Sequence, residues 1–354
     1  MTREFRIGKD IITESHQSYV IAEIGHNHQG NLDTCRKMFL SAKQCGVNAV
    51  KLQKRTNKIL YTKKLYNSPY DNENSYGDTY GEHREFLEFD ADQYSELIQY
   101  ADELGLAFLC TAFDIPSVDF LEDVGIQGYK VASGDLRNTP LIRYIAKTGK
   151  PVILSTGGGT LEDVQRAYDT IRPINRNFCI LQCTACYPVE PEDMNLKVIT
   201  TFRETFPDVV IGLSDHQNGI SMALVAYMLG SRIFEKHFTL NHSWKGSDHS
   251  FSLEPIGLSK LCRDLKRATY AIGDGVKKPI PGEIKPLIKM GKQLVAARDM
   301  PEGHVVKTHD IAIKSPVDTG LPPYEFDNVI GHVTTRDLLE DDPITWDVLK
   351  IRSP

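Results

Sequence analysis

Val209-Val-Ile-Gly-Leu-Ser-Asp-His216 and Arg232-Ile-Phe-Glu-Lys-His-Phe-Thr239 are short apolar runs that end in polar residues. Each sets one histidine, His216 or His237, at or just past the end of a predicted buried strand. Imidazole is a common metal ligand and the side chain best suited to move a proton near neutral pH. Two strand-end histidines point to a site rather than to a core; a hydrogen-bonded pair holding no metal is the plainer alternative. Six earlier runs share the design: Tyr19-Val-Ile-Ala-Glu-Ile24, Ala49-Val-Lys-Leu-Gln53, Ala107-Phe-Leu-Cys-Thr111, Gly128-Tyr-Lys-Val-Ala-Ser133, Pro151-Val-Ile-Leu-Ser155 and Phe178-Cys-Ile-Leu-Gln-Cys-Thr184.

Helical periodicity fills the gaps, over residues 31–45, 90–105, 117–124, 140–147, 161–171, 196–206 and 220–230, and follows the last run over 257–272. Short apolar strands with little alternation are buried on both faces, which marks a parallel sheet. Eight βα units over about 255 residues match a closed (β/α)₈ TIM barrel of the α/β class. The rival, an open doubly wound sheet, would carry GxGxxG after its first strand. Gly25-His-Asn-His-Gln-Gly30 is not that pattern. Gly157-Gly158-Gly159, after the fifth strand, could form a phosphate-binding turn.

Catalytic groups of such a barrel sit at the C-terminal ends of its strands. Here those ends carry Glu23; Lys51 and Gln53; Thr111; Lys130 and Ser133; Ser155; Thr184 and Tyr187; Ser214, Asp215 and His216; Glu235 and His237. A lysine inside an apolar strand is costly unless paired or working. Two lysines with the hydroxyls of Thr111, Ser133, Ser155 and Ser214 make an anion pocket for phosphate or carboxylate oxygens. Two imidazoles with few carboxylates suit a loosely held divalent metal with open positions. Glu23, Asp135, Asp215, Glu235 and Asp248 are acid/base candidates. An aldol-like carbon–carbon bond formation fits, as do an isomerase and a Schiff-base aldolase using Lys130. The polar segment 55–87, rich in Tyr, Asn, Lys and Gly, reads as an active-site lid or substrate loop, or else as a partly disordered insertion.

Outside these units, Phe5–Ile12 predicts a hairpin turned at Gly8-Lys-Asp. Residues 1–273 then form the barrel domain and its hairpin. Gly273–Gly282 opens a Pro/Gly linker over 274–291. Residues 292–354 form a small β-rich domain, with strands expected near Leu294–Ala297, Met300–Val306, Ile311–Pro316 and Asn328–Gly331. A net charge of −6 gives no reason to expect nucleic acid. No apolar run approaches the roughly 18 residues a membrane helix needs, and the N-terminus lacks a signal-peptide core. Seven cysteines, an odd number placed mostly in apolar segments, read as reduced thiols of a cytoplasmic protein. Cys183-Thr-Ala-Cys186 has no second pair, so a structural zinc is not expected.

Ala22-Glu-Ile-Gly-His-Asn-His-Gln-Gly30, Val50-Lys-Leu-Gln53, Tyr129-Lys-Val-Ala-Ser-Gly-Asp135, Ile153-Leu-Ser-Thr-Gly157, Cys183-Thr-Ala-Cys-Tyr-Pro188, Ile211–His216 and Glu235-Lys-His-Phe-Thr239 together resemble the sialic acid synthase family. The tail resembles that family's antifreeze-like SAF domain, a β-clip fold. The resemblance spans nearly the whole chain. It implies condensation of phosphoenolpyruvate with an N-acylated hexosamine to a nine-carbon 2-keto acid sugar, with release of phosphate. It implies that His216 and His237 hold Mn²⁺ or Mg²⁺. Lys51, Thr111, Lys130, Ser133, Ser155 and Ser214 would bind phosphoenolpyruvate. Gln53, Asp135, Tyr187 and Asp248 would face the sugar, and Glu23, Lys51, Lys130 and Asp248 would be catalytic. It implies a domain-swapped homodimer. The chain departs from the family pattern at His26, at Ala185, in the 55–87 segment and at Ser315, where many members place an arginine. N-acetylmannosamine is therefore not expected to be the best acceptor, and a precursor of legionaminic or pseudaminic acid is an alternative.

Overall fold

In the computed structural model of the chain, residues 3–15, 17–315 and 319–352 are described. The chain divides into two compact units, Met1–Gly273 and Asp274–Pro354.

The first unit opens with an antiparallel hairpin, β1 (Glu4–Ile7) and β2 (Asp10–Thr13). Eight parallel strands follow: β3 (Tyr19–Gly25), β4 (Ala49–Lys54), β5 (Ala107–Ala112), β6 (Tyr129–Val131), β7 (Val152–Ser155), β8 (Phe178–Cys183), β9 (Val210–Asp215) and β10 (Ile233–His237). They close into a barrel, with β10 pairing β3, so the open-sheet alternative is ruled out. Strand alternation divides the apolar residues between two layers. Val20, Val50, Phe108, Leu154, Ile180 and Phe234 point out to the helices. Tyr19, Ile21, Ala49, Leu109, Ile153, Cys179, Leu181, Val210 and Ile233 point in, where Phe5, Ile7 and Ile12 of the hairpin join them. The hairpin thus plugs the N-terminal mouth, and polar chemistry is left to the other end. Gly212 is part of that packing: a Cβ there would lie 2.4 Å from the Ile233 carbonyl oxygen.

Helices cover the outside, and their ends are written in the sequence. Asn31 caps Leu32–Cys45 by accepting from the Thr34 N–H, and Gly46 ends it at φ 92°, where a glycine carries no Cβ penalty. Asp90 and Gln93 close a capping box on Ala91–Leu104. The 55–87 segment is not the bare loop expected. It holds short helices at Asn57–Leu60, Lys63–Tyr66 and Tyr80–Phe86, the last started by a Thr79–Glu82 capping box.

The second unit has its own core of Leu294, Ala296, Met300, Val306, Ile311, Val329, Leu338 and Ile344. Its sheets are small: β11 (Gln293–Ala296) pairs β12 (Ile311–Lys314), and β13 (Val333–Thr334) pairs β14 (Leu349–Lys350). Two expected strands are corrected. Met300–Val306 contributes only isolated bridges, Met300 to Leu338 and Val305 to Val333. Asn328 and Val329 end a short helix, Phe326–Val329. The expected linker contains a helix, Ile284–Met290. Of the expected strand Ile311–Pro316, Pro316 lies outside the described residues. Among the described residues no helix is long and apolar enough to cross a membrane.

Candidate active site

The inward alternation continues upward and changes from apolar to charged. Above Ile21, Ala49 and Ile233 the next inward positions are Glu23, Lys51 and Glu235, with Thr111, Lys130, Ser155 and Ser214 beside them. All seven are buried. Lys51 Nζ lies 2.5 Å from Glu23, 3.8 Å from Glu235 and 2.9 Å from Thr111 Oγ1. Lys130 Nζ donates to both oxygens of Glu235, at 2.6 and 2.7 Å. Ser214 also donates to Glu235, at 3.3 Å. The floor is therefore two ammonium groups interleaved with two carboxylates.

The two carboxylates are driven apart. For Glu235 burial favours the neutral acid, but Lys130 and then Lys51 outweigh it and hold the group down to about 2. Glu23 is held above the usual carboxylate range: burial raises it, Lys51 pulls against that, and Glu235 adds to it. Lys51 is desolvated too, yet Glu23 and Glu235 keep it above the ordinary lysine value. Two acids in one cluster with opposite shifts can divide the work of fixed counter-charge and proton carrier. Ser155 Oγ, buried on β7, has no hydrogen-bond partner among the described residues.

Two imidazoles form one wall. Their ring centroids lie 5.4 Å apart. His216 Nδ1 is 2.9 Å from the Thr184 carbonyl oxygen, a contact that needs the proton on Nδ1 and leaves the Nε2 lone pair free. His237 Nδ1 is buried without a hydrogen bond among the described residues and lies 3.7 Å from Asp248. Burial, then the neighbouring imidazole, pushes His216 down to about 4. Burial does the same to His237, against the pull of Asp248. Both rings are neutral near pH 7, the state in which imidazole binds a metal. These donors fit a divalent cation held by few protein ligands. Among the described residues no cluster of three or more His, Cys, Asp or Glu has metal-binding spacing. Tyr187 packs on His216, with ring centroids 4.2 Å apart.

The cavity over this floor has a volume of about 430 Å³. Glu23, Lys51, Gln53, Thr111, Lys130 and Ser133 line it on one side, and Ser155, Tyr187, Ser214, His216, His237 and Asp248 on the other. Three sequence candidates are not brought there, the first being Thr184, whose hydroxyl donates to the Asp193 carbonyl oxygen. Asp135 sits in a 3-10 turn after β6, where its carboxylate accepts from the Asn138 amide, and it is not on the wall. Asp215 is one residue out of phase with Ser214. It faces the helix layer and pairs with Lys236 at 2.9 Å. The mouth is supplied by His26 and by Arg55, Tyr76, His83 and Arg84 of the segment expected to be a lid or substrate loop, none of which the sequence reading named as a site residue. Arg55 continues the Lys51, Gln53 alternation beyond the strand end, a signal that was available. Arg84 and His83 ride on the Tyr80–Phe86 helix, and nothing local indicates where that helix docks.

Comparison with known proteins agrees with this geometry. The family model described as the NeuB family matches residues 38–277, and that of the SAF domain matches residues 292–350. The N-acetylneuraminate-9-phosphate synthase of Homo sapiens is 40% identical over 329 residues, covering 93% of this chain and 92% of that protein. The N,N'-diacetyllegionaminic acid synthase of Campylobacter jejuni is 33% identical over 332 residues, covering 93% and 99%. The solved structure of an N-acetylneuraminic acid synthetase from Leptospira borgpetersenii, in complex with citrate, superposes with a TM-score of 0.70 at 28% identity. It covers 81% of this chain and 96% of that one.

Proposed function

The chain belongs to the NeuB family, and from that premise we propose that it is a synthase that condenses phosphoenolpyruvate with an N-acylated hexosamine, forming a nine-carbon 2-keto acid sugar and releasing phosphate. The observation that carries this reading is the buried floor of two lysines and two carboxylates beneath a pair of neutral histidines.

Lys51 and Lys130, with Thr111, Ser133, Ser155 and Ser214, hold the carboxylate and phosphate of phosphoenolpyruvate. The unpartnered Ser155 hydroxyl is suited to an incoming oxygen. Glu235 stays ionised between the lysines and keeps them aimed at the donor. C3 of phosphoenolpyruvate bonds to the sugar's aldehyde carbon, whose oxygen takes up a proton. Water adds at C2 and gives up a proton, and the tetrahedral centre expels phosphate to leave the ketone. Glu23, held above the usual carboxylate range, is placed to carry that proton. Gln53, Tyr187 and Asp248 face the sugar. His216 and His237 would hold Mn²⁺ or Mg²⁺, which when bound supplies polarisation of the aldehyde oxygen.

A Schiff-base aldolase would need the Lys130 amine free to attack, whereas both Glu235 oxygens engage it. The deciding experiment follows phosphate release from phosphoenolpyruvate with and without acylated hexosamine, before and after EDTA. Sugar-dependent, metal-dependent release of one phosphate per 2-keto acid supports the synthase. Borohydride trapping of pyruvate on Lys130 would replace it with the aldolase. We further propose a cytoplasmic homodimer in which the small unit of one copy completes the barrel mouth of the other. The seven free cysteines are consistent with a reducing compartment. Sedimentation of the full chain, together with loss of turnover on truncation after Gly273, tests the dimer. The names of the relatives divide over whether the product carries a phosphate, so family membership leaves the far end of the acceptor open.

A further inference from the structure

The mouth of the cavity holds positive charge that the described residues do not balance. Arg55 is 8% exposed and stacks on the Phe113 ring at 3.9 Å. It donates to Gln53 Oε1 at 2.6 Å. Arg84 donates to the Tyr80 hydroxyl at 3.1 Å and lies over that ring. The two guanidinium groups meet at one imidazole: Arg55 is 3.1 Å from His26 Nε2, and Arg84 is 3.3 Å from His26 Nδ1. A neutral imidazole has one accepting nitrogen, and the other carries hydrogen. One of these contacts therefore sets N–H against N–H, and one guanidinium N–H finds no acceptor at His26. Protonation of His26 would remove the remaining acceptor. Burial, followed by Arg55 and Arg84, keeps His26 well below its ordinary value.

Among the described residues neither guanidinium has a carboxylate within 4.0 Å. Of the carboxylate beside them, Glu88, Oε2 is engaged by Lys54 at 2.9 Å and by the Arg55 backbone N–H at 3.3 Å, while Oε1 lies 4.0 Å from His26 Nε2 and outside ion-pair distance of either guanidinium. A guanidinium drawn out of water without a carboxylate to pair with is unfavourable until an anion arrives. Guanidinium forks suit the oxygens of a phosphate, which they can grip in bidentate fashion.

We propose that Arg55 and Arg84 form a subsite for a phosphate ester on the acceptor sugar, at the carbon remote from its aldehyde. The substrate is then an N-acylated hexosamine 6-phosphate. This rests on the condensation reading above. Phosphoenolpyruvate is not the occupant, because its charges belong with Lys51 and Lys130. Arg55 is four residues beyond Lys51, roughly 13 Å further along the strand direction, more than a three-carbon donor spans. A hexose that puts its aldehyde at the histidines presents its far end to the mouth.

The test compares one N-acylated hexosamine with and without a 6-phosphate, by kcat/KM for phosphate release and by calorimetric binding without phosphoenolpyruvate. The wild type is expected to prefer the phosphorylated sugar. Arg84→Gln is expected to shrink that preference roughly 10- to 100-fold, the value of one charge-assisted hydrogen-bonding group, mainly through KM. Arg84→Lys should restore part of it, and Arg55→Lys provides a second variant should Arg84→Gln fold poorly. Equal use and equal binding of both sugars by the wild type overturns the proposal, as does a preference that survives in every variant. If neither sugar is consumed, the condensation reading fails by itself. The binding comparison then still decides the subsite: a preference lost in Arg84→Gln upholds it, and no preference rejects it.

Discussion

The floor and the mouth of the same cavity are charged in different ways. On the floor, Lys51 and Lys130 are matched by Glu23 and Glu235, and every charge is set on a strand. At the mouth, Arg55 and Arg84 share one histidine and have no carboxylate within ion-pair distance among the described residues. A balanced buried cluster is stable when empty and can exchange partners with a ligand. An unbalanced one depends on the ligand for its counter-charge. On the function proposed, the floor carries the chemistry and the mouth selects the acceptor.

Five experiments break or sharpen that contrast, taken from the largest expected effect on turnover to the smallest. Lys130→Ala leaves Glu235 without its main partner and, on the function proposed, removes a phosphoenolpyruvate contact. Turnover should fall on the order of 10³-fold, with a raised KM for phosphoenolpyruvate; ordinary steady-state kinetics would refute the role given to the floor. Glu23→Gln should cost roughly 10²-fold. Because burial raises Glu23, its carboxylate form is lost on acidification at higher pH than for an exposed glutamate. The rate should therefore fall on the acid side in the wild type, and that limb should vanish in Glu23→Gln; an unmoved pH profile removes Glu23 from proton transfer.

His216→Ala or His237→Ala should weaken Mn²⁺ binding at least roughly tenfold, a loss typical even of a residue that only supports a ligand. Unchanged calorimetric titration in both would leave the histidines without a metal. At the mouth, a panel of acylated hexosamines should show N-acetylmannosamine to be outperformed, by about tenfold. A clear preference for it would contradict the significance given to the departures at His26, Ser315 and the 55–87 segment. The Ser315 hydroxyl accepts from Lys292 at 2.6 Å in the second unit.

Asp310 serves as a control, since it does not line the cavity described above. It is buried, and burial opposes its charge, but His304, the Lys307 N–H and Arg298 hold it down to about 2. A depressed carboxyl stabilises the fold above its unfolded value, about 3.9, and that stability is lost as pH falls from there toward 2. Asp310→Asn should cost roughly 1–3 kcal/mol in thermal melts near neutral pH and flatten their acid dependence. Turnover below the melting range should not change; a changed rate would mean that the second unit's charge cluster reaches the chemistry.

The barrel floor was legible because its code is local. A strand alternates every two residues, so Glu23, Lys51, Lys130 and Ser214 fall on the inward face once the strands are located. The same rule, applied without exact phase, offered both Asp215 and Glu235, and closure of the barrel separated them: Glu235 turns inward to Lys130, and Asp215 turns outward to Lys236. In the second unit, Met300–Val306 has strand composition but only bridge contacts, because a turn closed by the His304 N–H on the Pro301 carbonyl oxygen separates the bridges at Met300 and Val305.

By itself the sequence determined eight strand–helix units, an N-terminal hairpin and a ring of polar strand ends, and these were enough to suggest a barrel with an anion pocket and a pair of histidines. Only the tertiary structure decided that the hairpin closes the far mouth, that Asp135 and Asp215 stay off the cavity wall, and that Arg55 and Arg84 converge on His26. The physical reason is the range of the interactions. Strand phase and helix caps are fixed by neighbours a few residues away, whereas His26 and Arg84 are 58 residues apart in the chain and meet only when the barrel has closed beneath them.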